Sequence, residues 1–284
     1  MNKNVCREFK CTRHDSIMAT IAAMATNVLT EVEKTWCAQI REAAMKENIP
    51  YDSDFSLAQF AIVTKGSIPK ALKRMKKQNA YKDVRKYSIK EAAEKMAKMM
   101  PNSTMCCGRD VEGRIVVFFR ADTFKSSLYQ HPDFFDLMYA YLTDILSSMT
   151  SNLEDIRRGA TFLLDMKNMG WGNFSSEMEK RLAQLYQDNY PIKLKKILFI
   201  DPPWIISMIM GIASLFIKQK LRDRIVKSWR VGEGKDHFSA HVTPANLPKL
   251  YFEHGAFDGE KNPVHEWVQS CLDEKQKNID SLKL

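Results

Sequence analysis

No stretch of this 284-residue chain is apolar over the about 20 residues that a membrane-crossing helix needs. Glycine is scarce, at 11 residues, and none of them builds a G-x-S-x-G elbow, which excludes that route to an activated serine. "GRDVEGR" (108–114) has the glycine spacing of a phosphate loop but ends Gly-Arg, and it precedes a strand that a phosphate loop must follow. It reads as a tight turn, and "GWG" (170–172) and "GEG" (232–234) are lone glycine pairs. The six cysteines (6, 11, 37, 106, 107, 271) are irregularly spaced and two of them are adjacent, a poor arrangement for disulfides. The first residues carry no basic leader with an apolar block and a small-residue cleavage site, so free thiols in a reducing cytosol are expected. Cys6, Cys11 and His14 lack a matching second pair of zinc ligands. His131, His241, His254 and His265 sit in loop-like contexts without a partnered nucleophile, and Asp165 at a strand end reads as a turn cap. The chain is expected to be no enzyme, with no metal and no cofactor.

What is present points elsewhere. Hydrophobic residues at 45% and charged residues at 27% are ordinary globular values, enough for one large domain or two small ones. The net charge of +9 is concentrated: residues 65–86 hold nine Lys/Arg against one Asp, 193–196 hold three Lys, and 218–230 hold six Lys/Arg against one Asp. Such asymmetry suits an anionic partner, although 65–86 alone reads equally well as a solvated helix face. Aromatic residues are not interleaved with this charge as single-strand binders require, so nucleic acid is not expected.

The first hundred residues carry only helical patterns. Ile17, Ile21, Met24, Val28, Val32, Trp36 and Ile40 mark one, "NIPYDSD" breaks it, and two helices flank "KGSIP", with Asp54 and Ser67 as expected caps. "SIKEAAEKMAKMM" (88–100) closes at Pro101. The period then changes. "RIVVFFR" (114–120), "ATFLLD" (160–165), "LKKILFI" (194–200) and "RIVKSW" (224–229) read as strands, with amphipathic stretches at 132–149 and 174–188 between them. Strands alternating with helices predict a mostly parallel sheet. Within this frame Pro202 to Ile217 is uncharged throughout, too short to span a bilayer and too uniformly apolar for a surface helix. Ile205, Ile209, Ile212 and Phe216 form one helical stripe; Ile206, Met210, Ala213 and Ile217 form the next. A fully buried core helix would explain it. Its basic flanks, "PIKLKK" before and "KQKLRDR" after, instead suit an element that touches an anionic bilayer without crossing it.

"LAQLYQDNYPIKLKKILFIDPPWIISMIMGIASLFIKQKLRDRIV" followed by "NLPKLYFEHGAF" resembles the CRAL-TRIO lipid-binding family. "DVEGRIVVFFRAD" and "RRGATFLLDMKNMGW" resemble its first strands, and "FSLAQFAIVTKGSIPKALKRMKK" resembles the helical region before it. The resemblance implies an α/β fold. A helical N-terminal domain (1–100) precedes a mostly parallel sheet flanked by helices (101–260), whose hydrophobic pocket is closed by a lid helix, and a C-terminal tail (261–284) follows. By carry-over from tocopherol- and retinaldehyde-binding members, the pocket would be lined by Tyr139, Leu142, Leu146, Leu164, Leu182, Leu185, Tyr186, Tyr190, Leu194, Ile197, Ile206 and Met210. Ile205, Ile209 and Ile212 would face the membrane, and Lys193, Lys195, Lys220 and Arg224 would hold a phosphoinositide. The chain departs from the family pattern at Asp201, at His254, at "FAIVT" (60–64) in place of an arginine-rich segment, and at Ile192 in place of an acidic residue. Leu142 and Leu146 stand where the tocopherol pocket has serines. Together these favour a slender retinoid or other isoprenoid over an inositol lipid or tocopherol as cargo. The expectation is a monomeric cytoplasmic carrier of one small hydrophobic ligand that meets an anionic membrane peripherally and transiently. A lipid-sensing regulatory adaptor and a phospholipid transfer protein are the alternatives.

Overall fold

A computed structural model of the chain describes residues 28–82, 85–184, 190–215, 217–229, 240–249, 264–282 and 284. Helix α1 (Glu31–Lys46) begins where the Thr30 hydroxyl accepts the Glu33 amide and the Glu33 carboxylate accepts the Thr30 amide. Ser53 and Ser56 start α2 (Asp54–Thr64) in the same reciprocal way. The cap is therefore Ser53 and not the expected Asp54, whose carboxylate takes Arg41 of α1 at 2.5 Å. α3 (Ile68–Lys82) and α4 (Ile89–Met99) complete the helical region, α4 capped by Ser88. Ile40, Phe55, Leu57, Ile62 and Met75 fill the core between α1, α2 and α3.

Five strands follow: β1 (Thr104–Arg109), β2 (Ile115–Arg120), β3 (Ala160–Asp165), β4 (Leu194–Ile200) and β5 (Ile225–Trp229). They lie in the order β1-β2-β3-β4-β5, with β1 antiparallel to β2 and the remaining pairs parallel. The parallel pairs are joined by crossover helices: α5 (Phe134–Ser148) and α6 (Leu153–Arg158), then α7 (Ser176–Gln184), then α8 (Ile206–Ala213) and α9 (Gln219–Arg222). The four segments read as strands form within one residue of their expected limits; β1 is the addition. Asp165 accepts the Lys167 amide at 2.9 Å, the turn-capping role read for it. Residues 264–281 of the expected tail form α10 (Val264–Ser281), which packs against α5 and α4.

Period-two geometry divides the sheet into two apolar faces. Val116, Phe118, Leu163, Leu198 and Ile200 face Val242 and Leu247. Phe119, Leu164 and Phe199 form a row across β2, β3 and β4 on the other face, where Phe162 pairs in register with Ile197. That second face is the floor of the site.

Candidate functional site

Above Phe119, Phe162, Leu164, Ile197, Phe199 and Ile225 the structure leaves a cavity of about 180 Å³. Met178, Leu182 and Ala183 of α7 form one wall, and Ile206, Ile209, Met210 and Ala213 of α8 form another. Leu142, Leu194, Ile217 and Leu221 complete an almost wholly apolar lining. Of the carried-over pocket residues, Leu142, Leu164, Leu182, Leu194, Ile197, Ile206 and Met210 are brought together here. Others are placed elsewhere. Leu146 is packed in the core at 1% exposure, and the Tyr139 ring lies 3.7 Å from that of Tyr81 in an outer cleft. The Tyr190 hydroxyl is buried beside Thr150 at 3.5 Å and accepts from Lys275 at 3.4 Å. Leu185, Tyr186, Phe216 and His254 lie outside the described residues. Phe119, Phe162 and Phe199 were not anticipated as lining, although their alternation on β2, β3 and β4 carried the signal.

Helix α8 differs in phase from the expectation. Ile205 and Ile209, read as membrane-facing, are 4% and 3% exposed and point inward, where with Met166, Met169 and Phe199 they form a separate apolar cluster. Only Ile212 of the three faces out. Its neighbours on the outer side are Trp204, Met208 and Leu215, and Trp204 and Leu215 are 77% and 84% exposed. The reason is geometric: the row Ile205, Ile209, Ala213 packs on the sheet, so the side chains at 204, 208, 212 and 215 turn away from it. No side chain caps the N-terminal end of α8, while at its C-terminal end the Ser214 hydroxyl donates to the Gly211 carbonyl at 2.6 Å; the helix follows Asp201, which is held at φ +43°.

Beside the cavity lies a cleft lined by Lys193, Lys195, Lys220 and Arg224, the carried-over cations, together with Lys65, Lys70, Lys73, Arg74 and Lys218. No acidic side chain among the described residues lines it. Among the described residues, Lys65, Lys70, Lys73, Lys193, Lys195 and Lys220 form no ion pair, in contrast to Lys76, which holds Glu47 at 2.7 Å. Burial, then the charges of Lys195 and Lys65, bring the Lys193 ammonium down to about 8. Burial, then Arg114 and Arg224, lower Lys195 as well. The cleft is thus short of negative charge. Leu194 and Leu221 belong to both the cleft and the cavity, so the two share a wall. The additional cations come from 65–86, the stretch read equally as a surface for an anionic partner and as a solvated face, and, for Lys218, from 218–230. The segment expected to lose a phosphate contact, 60–64, is followed at once by Lys65, Lys70, Lys73 and Arg74 of this cleft.

The described cysteines do not offer a nucleophile. Cys37, Cys106 and Cys107 are buried and free, Cys271 is half-buried and free, and burial pushes all four thiols up, Cys37 and Cys271 to about 12. No helix among the described residues is long and apolar enough to cross a membrane.

The comparisons with known proteins agree with this architecture. A family model described as "CRAL/TRIO domain" matches residues 100–251. "Tyrosine-protein phosphatase non-receptor type 9" of Homo sapiens is 21% identical over 231 residues, covering 78% of this chain and 36% of that protein. "Alpha-tocopherol transfer protein-like" of Homo sapiens is 27% identical over 156 residues, 53% of this chain and 42% of that one. The chain thus spans well under half the length of either relative. Among solved structures, the crystal structure of Sfh5 aligns with a TM-score of 0.54 at 14% identity, covering 88% of this chain and 99% of that one, which is a likeness of fold. Because the family match takes in the sheet that floors the cavity and the helix that walls it, more than half of the sequence in all, this chain belongs to the CRAL-TRIO family of lipid-binding domains.

Proposed function

We propose that the chain carries one small hydrophobic ligand, a retinoid, tocopherol or other isoprenoid-like lipid, between its sheet and α8. It exchanges that ligand at anionic, phosphoinositide-containing membranes by moving α8 outward. In this reading it is a monomer and a non-enzymatic carrier that meets the membrane peripherally from the cytoplasm. The observation that carries the reading is the shared wall: Leu194 and Leu221 separate an apolar cavity from a cleft lined by cations. A bilayer offers both matching surfaces at one place, acyl chains and phosphate headgroups.

Size supports movement of α8. A cavity of about 150 Å³ admits a molecule such as benzene. The 180 Å³ here holds little more, so a longer lipid enters only if a wall yields. α8 is the wall suited to yield, since its outer side is exposed and no side chain caps its N-terminal end. Burying a ligand on the order of twenty carbons contributes over ~10 kcal/mol gross at ~0.8 kcal/mol per methylene. Association and ordering offset part of that.

The test is vesicle-stimulated release of a bound fluorescent lipid. Lys193→Ala with Lys195→Ala is expected to slow release by about ten-fold while solution affinity for the ligand stays unchanged. Equal release by the double variant and the wild type would overturn the role of the cleft.

A pH dependence follows from Lys193. Its ammonium titrates near 8 in the folded chain, so as pH rises through 8 the cleft loses a positive charge and phosphoinositide binding weakens. Conversely, an anion seated there raises that value, so binding at pH 8 takes up protons, which calorimetry in buffers of different ionisation enthalpy detects. Without lipid the sign for stability is opposite. Between about 8 and the ordinary 10.5 the unfolded chain holds a proton that the folded chain has released, so stability from this group grows as pH rises. Lys193→Met is expected to flatten both dependences.

A further inference from the structure

Resting on the carrier reading, a further inference concerns the polar end of the ligand. Among the described lining residues only Tyr129, Asn173 and Glu179 bring polar side-chain groups to the cavity. Asn173 is already committed: its amide nitrogen donates to the carbonyls of Asp122 at 2.8 Å and Phe124 at 3.2 Å, and its oxygen accepts the Gly170 amide at 2.9 Å. Glu179 is different. Met178, Leu182 and Ala183 on the same helix line the cavity, so α7 turns Glu179 inward. Glu177 and Arg181, also on α7, pair with each other at 2.8 Å and leave Glu179 without a cation. The half-buried Glu179 side chain makes no hydrogen bond or ion pair among the described residues, and desolvation raises its carboxyl to about 7. Tyr129, from the turn Ser126–Gln130, lines the same cavity, and its phenol is pushed up to about 12 by burial and then by the Glu179 charge.

An isolated carboxyl facing an apolar chamber is unfavourable unless something in the chamber completes it. A carboxylate head would meet like charge. An ammonium head would have to give up its hydration for a single acid. A neutral hydroxyl donates to the carboxyl and accepts from the phenol, and it satisfies both. We propose that Glu179 and Tyr129 form a polar stop that selects a lipid alcohol, whose hydroxyl lies between them while its chain fills the apolar remainder of the cavity. Neither residue stands out in the sequence: "SEMEKRLAQ" reads as an amphipathic surface helix in which Glu179 is one charge of several.

The experiment uses the full chain and displacement of the uncharged fluorophore N-phenyl-1-naphthylamine by farnesol, farnesyl methyl ether and farnesoic acid. The wild type is expected to bind the alcohol at least about ten-fold more tightly than the ether or the acid, the effect of one buried hydrogen-bonded pair. Glu179→Leu is expected to bind alcohol and ether equally and to melt no lower than the wild type, because an unpaired, half-buried acid is gone. Glu179→Gln is expected to keep most of the preference, and Tyr129→Phe to reduce it. Equal binding of alcohol and ether by the wild type, or a preference that survives Glu179→Leu, overturns the proposal and leaves the carrier reading standing. Failure of the fluorophore and all three lipids to bind overturns both.

Discussion

Gly159→Ala is expected to lower the unfolding free energy by about 3 kcal/mol or more, and with it the melting temperature by about 6 °C or more. Gly159 closes α6 and opens β3 at φ +79° and ψ −163°, a region that only glycine occupies readily. A methyl group there would stand 2.2 Å from the Lys193 carbonyl oxygen, which is backbone and cannot rotate aside. That oxygen accepts the Ala160 amide at 2.8 Å, so relief of the clash breaks the first link between β3 and β4. The Cβ would also lie 2.9 Å from Lys195 Cγ, so the variant displaces Lys193 and Lys195 of the cleft together. Chemical denaturation measures the stability change and binding to phosphoinositide vesicles measures the functional one. Gly172→Ala is the control: nothing lies within 4 Å of its added methyl, and a change within about 0.5 kcal/mol is expected. A stability loss at Gly159 no larger than that of the control would contradict the local geometry.

Trp204→Asp with Leu215→Asp is expected to reduce partition onto anionic vesicles by about a hundred-fold or more. Each side chain contributes about 1.5–3 kcal/mol when it passes from water into an apolar surrounding. At 77% and 84% exposure neither has that surrounding within the chain, so its removal costs the folded state little. Ligand affinity in solution and the melting temperature are therefore expected to stay near wild type. Ile205→Asp is the contrasting variant: at 4% exposure it buries a carboxylate against Met166, Met169 and Phe199 and is expected to destabilise the α8 cluster instead. If the outer pair changed nothing on vesicles, α8 would not be the membrane-facing element.

Much of the fold was legible because physics left a strong pattern. β2, β3 and the Leu198–Ile200 end of β4 are buried on both faces, so they appear as continuous apolar runs that no helix period mimics. β1 was not legible. "TMCCGR" is an edge strand that turns exposed at Gly108 and Arg109, and it owes its conformation to antiparallel pairing with β2. The cap of α2 was misplaced by one residue because serine and aspartate serve equally at that position and only the Arg41 contact separates them.

The site was legible in part, for a related reason. Its sheet residues follow from alternation once the strands are set. α8 carries no phase of its own: a helix apolar on all sides gives the same pattern whichever side faces the sheet, so nothing in it could check the outward placement of Ile205 and Ile209 that the resemblance implied, or show that Trp204 and Leu215 are the exposed ones. Lys65, Lys70 and Lys73 join Lys193 and Lys195 only through contact across more than a hundred residues of chain, which local reading does not reach. Glu179 was hidden by the ordinary frequency of charge on an amphipathic helix.

Native mass spectrometry of the chain after incubation with phosphoinositide vesicles that contain a mixture of isoprenoid alcohols tests the central claim most directly. A single adduct of a few hundred daltons, absent when Leu164 and Ile197 are both replaced by tryptophan to fill the cavity floor, is the predicted result. The bare chain alone, from a wild type that remains folded, would contradict it.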